Sequence, residues 1–87
     1  MNTANLDTLG NKLANAALTT LIRLCPEVRT ASEQQLEAAC AAMRAKSGQA
    51  IDELLEDGKV CPWMAETIFA SAAMTLAAEG IKVLRGA

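Results

Sequence analysis

Cys25, Cys40 and Cys61 are the strongest nucleophiles in this sequence, and no histidine or tyrosine accompanies them. A zinc site built on these thiols would need Cys-x-x-Cys spacing or histidine partners, and the chain has neither. A catalytic thiolate would need a base beside it, which is ordinarily histidine. Cys61 precedes Pro62 at the predicted start of a helix, where the positive end of the helix dipole favours a thiolate. A thiol-active or redox-sensing role through Cys61 is therefore one reading of the chain.

The carboxylates gather in one place. Asp52, Glu53, Glu56 and Asp57 lie within six positions. They lack the alternating ligands and central glycine of a calcium loop. They read as a solvated helix face that could dock a basic partner. General acid–base chemistry near neutral pH most often uses histidine, and no glycine-rich phosphate loop is present. The chain is expected to be non-catalytic and to hold no cofactor or metal.

Charge narrows the choice of partner. The net charge is −2. Residues 1–31 carry +1, residues 32–57 carry −4 and residues 58–87 carry +1. No basic stripe exists for a nucleic acid to follow, so nucleic acid is not the expected ligand. The run from Leu36 through Ser47 and Gly48 to Asp57 does have the outline of helix, turn and helix. A transcription regulator of the helix-turn-helix kind is thus an alternative, although its second helix would bring four carboxylates to the phosphates.

Three cysteines are too few and too odd in number for a disulfide framework, and the first residues lack a basic, then apolar, leader. These features read as a cytoplasmic protein. The most span-like stretch, Met64 to Ala78, falls short of the roughly 20 apolar residues that a bilayer requires. No membrane is expected as a partner.

Helices must position all of these groups. Apolar residues make up 52% of the chain, yet aromatics make up only 2%. Alanine dominates, and it costs less than any other residue to place in a helix. A core of alanines gains its contacts by bringing helix backbones close together. No strand-like alternation appears, and helical spacing runs throughout.

The first helix is predicted from Leu6 to Leu24, with Leu6, Leu9, Leu13, Ala17, Leu21 and Leu24 as its buried stripe. Ala14, Leu18, Ile22 and Cys25 lie off that stripe and are expected to pack against the last helix. Gly10 loosens the first turn, and Pro26 ends the helix. After a loop at Pro26–Arg29, a capping box opens the second helix, using either Thr30 with Glu33 or Ser32 with Gln35. Its stripe is Leu36, Ala39, Cys40 and Met43. Ser47 and Gly48 are the expected break before a third helix at Gln49–Asp57, although the apolar spacing continues through them as it would in one bent helix. Gly58 supplies the left-handed residue that ends it. The fourth helix starts at Pro62, a favourable first position. It ends near Gly80 or continues to Arg85.

This fourth helix has two apolar stripes. Ala65, Ile68, Phe69, Ala72, Leu76 and Val83 form one. Trp63, Ala70, Met74, Ala77 and Ile81 form the other, with Thr67, Ser71, Thr75 and Lys82 as a polar edge between them. A helix that is apolar on two sides is buried on two sides. A chain of 87 residues has little surface to spare for that.

The expectation is an all-α protein, a small bundle of three to four helices with the C-terminal helix at its centre, self-associating as a homodimer. Its core is expected to hold Leu9, Leu13, Leu21, Leu36, Met43, Ile51, Leu54, Leu55, Ile68, Phe69, Ala72 and Leu76. Residues 1–87 make one domain, with Met1–Asn5 and Gly86–Ala87 frayed. Its function is expected to be that of a small non-catalytic protein–protein interaction module, such as an adaptor, inhibitor or regulator. Trp63, Ala70, Met74, Ala77 and Ile81 would contact the partner protein.

Overall fold

Three α-helices, within the expected three to four, account for most of the described residues. The computed structural model describes residues 3–86, in which α1 spans Thr3–Leu24, α2 spans Glu33–Glu56 and α3 spans Pro62–Gly86. A short 3-10 helix at Pro26–Thr30 joins α1 to α2 where a loop was expected. Among the described residues no strand occurs. α1 already includes Thr3–Asn5 and α3 reaches Gly86, while Met1, Asn2 and Ala87 lie outside the described residues.

The helices run up, down and up. α3 lies between the other two, which touch each other little. It takes the centre because both neighbours close on it, α1 at Gly10 against Ile68 and Ser71, and α2 with Cys40 against Gly80. One side buries Ala65, Ile68, Ala72, Leu76, Gly80 and Leu84. The bundle is elongated, at 40 × 22 × 19 Å.

α2 is continuous through Ser47 and Gly48, so the expected break is absent. Ser47 is buried, and Gly48 faces the ring of Phe69, whose Cε1 would stand 3.3 Å from a Cβ at that position. Gly48 thus makes room for an aromatic ring and does not interrupt the helix. The true end lies at Gly58, which has φ +72°. There the Gly58 N–H donates to the Leu55 carbonyl (3.1 Å) and the Lys59 N–H to the Leu54 carbonyl (2.9 Å). Both bonds of a Schellman closure are present. At the other end Ser32 is the cap. Its hydroxyl accepts from the Gln35 N–H (3.1 Å), and Gln35 Oε1 accepts from the Ser32 N–H (2.9 Å). Of the two predicted boxes, this is the one that forms.

The buried row of α1 is not the leucine stripe. Leu6, Gly10, Ala14 and Leu18 are buried, and Leu24 is 70% exposed. Leu9, Leu13, Ala17 and Leu21 flank the core half-buried. The predicted stripe is off by one residue step around the helix, and Gly10 explains why. A Cβ on Gly10 would lie 2.6 Å from the Ile68 carbonyl oxygen and 2.6 Å from Ser71 Cβ. α1 therefore meets α3 through its smallest residues, which brings the backbones together.

Gly80 plays the same part between α3 and α2, since a Cβ there would stand 2.7 Å from Cys40 Sγ. α3 continues past Gly80, and Leu84 takes the buried place expected of Val83, which is 36% exposed. Leu36, Met43, Ile51, Ile68, Ala72 and Leu76 are buried as expected. Leu54, Leu55 and Phe69 are half-buried. The core also takes in Leu6, Ala14, Leu18, Val28, Ala65 and Leu84.

Candidate interaction surface

α1 and α2 cover two flanks of α3 and leave a third open. Glu66, Ala70, Met74, Ala78 and Lys82 follow one another at four-residue intervals along this outer ridge, and all five are exposed. Trp63 and Ala77 lie beside the ridge and are exposed as well. Met74 is 70% exposed and Trp63 55%, and the two lie on the same side of α3, eleven residues and about 16 Å apart along the helix. Four of the five residues predicted for the second stripe are therefore on the surface. The fifth, Ile81, is half-buried and packs against the core instead.

A groove runs along each side of the ridge. The larger, about 670 Å³, lies between α1 and α3, with Asn11, Asn15, Ser71 and Thr75 among its lining and Ala70, Met74 and Ala78 at its rim. The smaller, about 270 Å³, lies between α2 and α3 and is lined by Cys40, Arg44, Ala73 and Ala77, among others.

The polar edge of α3 has a structural task. Ser71 Oγ donates to the Asp7 carbonyl (2.8 Å) and stands 3.3 Å from Asn11 Oδ1. Thr75 Oγ1 donates to the same Asn11 oxygen. Thr67 turns back to the Trp63 carbonyl of its own helix (3.0 Å). Ser71 and Thr75 thus fasten α1 to α3 beside the Gly10 contact. Asp7 and Asn11 were not expected to take part, because partners 60 or more positions away leave no local signal.

The acidic residues Asp52, Glu53, Glu56 and Asp57 lie at the C-terminal end of α2, and Asp52, Glu53, Glu56 and Asp57 are all exposed. They sit where the helix dipole is itself negative, and no basic residue occupies the last turn. They lie at the opposite end of α2 from the second-stripe residues Ala77 and Ile81, since Ile51 packs in the cluster with Ala65 while Cys40 meets Gly80.

The three thiols remain apart. Cys25, Cys40 and Cys61 are all free and half-buried. Burial raises the Cys40 thiol above its ordinary value. Among the described residues, no three His, Cys, Asp or Glu side chains gather where a metal ion could be held. The Cys61 carbonyl accepts the first helical bond of α3, from the Ala65 N–H (3.0 Å).

As a helix, α3 is longer than the apolar stretch legible in its sequence. Its 25 residues include an 18-residue window of mean hydropathy 1.4, which satisfies the length and composition of a membrane span. The expectation based on Met64–Ala78 understated that length. A core helix that never enters a membrane can meet the same two criteria, and 28% of this window is buried inside the bundle. Comparison with protein-family models, with curated proteins and with solved structures gives no match.

Proposed function

We propose that this chain is a non-catalytic protein–protein interaction module that self-associates, in the cytoplasm, through the outer ridge of α3. The observation that carries this reading is the joint exposure of Trp63 and Met74 on the most apolar helix of the protein. Tryptophan and methionine are enriched at interface centres, and the alanines between them leave room for a second helix to approach closely.

Area supports the reading. The molecule exposes 5529 Å². A compact monomer of its mass would expose about 4,900 Å². A stable interface covers about 800 Å² on each partner, about one seventh of this surface. From Trp63 to Lys82 the ridge extends about 28 Å at the helical rise, and its two grooves widen the face. The second copy is the preferred occupant because the face is apolar at its centre and carries charges of both signs at its ends.

Sedimentation equilibrium over a wide concentration range tests this. The native chain is expected to dimerise, and Trp63→Ala with Met74→Asp is expected to yield a monomer of unchanged helicity. A native chain that stays monomeric at every concentration would overturn the reading. If that monomer floated with phosphatidylcholine vesicles, the face would belong to a bilayer instead.

A further inference from the structure

The outer ridge of α3 reads the same in both directions. Met74 is at its centre. Ala70 and Ala78 stand four residues to either side, and Glu66 and Lys82 eight residues to either side. All five are exposed. Eleven residues out on either side stand Trp63 and Arg85, both exposed. The arrangement is symmetric in size and opposite in charge.

We propose that two copies of this chain pair their α3 helices antiparallel, with the two-fold axis passing at Met74. This rests on the self-association proposed above and specifies its geometry. In a two-fold dimer the same patch meets itself, and where the two helices run antiparallel a residue n positions before the axis faces one n positions after it. Antiparallel pairing then places Glu66 of each copy at the height of Lys82 of the other. Ala70 meets Ala78, and their small side chains let the ridges pack closely, at an interaxial distance of about 8 Å. Trp63 reaches the height of Arg85, where a guanidinium can lie over the indole. Parallel pairing would instead set Glu66 beside Glu66 and Lys82 beside Lys82, both repulsive. The charge pattern of the ridge therefore selects one direction.

Charge reversal tests the direction separately from the association. Glu66→Lys moves the net charge from −2 to 0, and Lys82→Glu moves it from −2 to −4, each by two units. General repulsion alone would strengthen the first dimer and weaken the second. Antiparallel pairing predicts that both single variants weaken the dimer, because each converts two opposite pairs into two like pairs. The expected loss is roughly ten-fold in Kd at low salt for each. The double variant E66K/K82E restores opposite pairs and is expected to return to within about three-fold of the native value.

Cross-linking gives a second readout. In antiparallel pairing, thiols introduced at position 70 of the two copies stand about 12 Å apart along the axis, beyond the reach of a disulfide. Ala70→Cys mixed with Ala78→Cys is expected to form the 70–78 link on mild oxidation, and Ala70→Cys alone no 70–70 link, as mapped by peptide mass. A native dimer whose affinity ignores both single reversals, or which forms the 70–70 link, would overturn the antiparallel geometry and leave self-association standing. A native chain that is monomeric throughout would overturn both.

Discussion

Replacing Gly10 by alanine sets two opposing effects against each other. Alanine favours the helix by about 1 kcal/mol over glycine, so in an exposed turn the change would stabilise α1. Here the new Cβ would sit 2.6 Å from both the Ile68 carbonyl oxygen and Ser71 Cβ, where ordinary contact begins near 3.4 Å. One of the two atoms is backbone, so a rotamer change cannot relieve the clash. α1 must withdraw from α3 by nearly 1 Å. Such overpacking costs about 1–3 kcal/mol. The Ser71–Asp7 hydrogen bond, now 2.8 Å, stretches with it and loses a further ~1 kcal/mol. The net expectation is a loss of about 1–3 kcal/mol.

Urea unfolding followed by circular dichroism at 222 nm reads this directly. With a slope near 1 kcal/mol/M for so small a chain, the midpoint should fall by roughly 1–3 M. Protein concentration must be held constant, because association with a second copy would shift the midpoint by mass action. A midpoint equal to or above the native one, at unchanged slope, would refute the close approach of α1 to α3 at this point.

Gly80→Ala is expected to cost about 1 kcal/mol through Cys40 Sγ, which would lie 2.7 Å from the added carbon. Cys40→Ala in the same chain should recover most of that loss, and non-additivity of ~1 kcal/mol in the unfolding cycle would confirm the contact. Cys40 should also give the stability a pH dependence. Burial raises its folded value above the unfolded one, so its contribution is complete below the ordinary thiol range and is lost as pH rises through the raised value. Unfolding from pH 7 to 10 in the native chain and in Cys40→Ala checks the sign, and an identical pH dependence in the two would exclude it.

The helical class and the central C-terminal helix were legible because periodicity and composition are local properties. The stop at Gly58 was legible, and the α2 cap was narrowed to Thr30 or Ser32, because each depends on residues within four positions. The break at Ser47 and Gly48 was misread because glycine has two uses that look alike in sequence. At Gly58 it supplies a positive φ, whereas at Gly48 it supplies space for Phe69. Only the neighbour across the bundle distinguishes them. α1 was misread for a related reason. A search for large apolar residues selects Leu9, Leu13 and Leu24, but the closest approach to α3 is made where side chains are smallest, at Gly10 and Ala14. The ridge at Trp63, Ala70, Met74 and Ala77 was legible as a second apolar stripe. Its openness was not, since it depends on where α1 and α2 come to lie.

Where helices meet through glycine and alanine, as α1 meets α3 at Gly10 and Ala14, the contact is nearly smooth, and smooth helices can slide past one another by a turn with little change in energy. Gly10, Gly48 and Gly80 remove that freedom. Each is a notch occupied by one particular protrusion: the Ile68 carbonyl with Ser71, the Phe69 ring, and the Cys40 sulfur. A slip of one turn, about 5.4 Å, would carry the protrusion out of its notch and drive it against a Cβ. The competing registers are thereby raised in energy, with Phe69 the one large side chain used for the task. A chain with one Trp and one Phe can in this way specify a single arrangement of its helices.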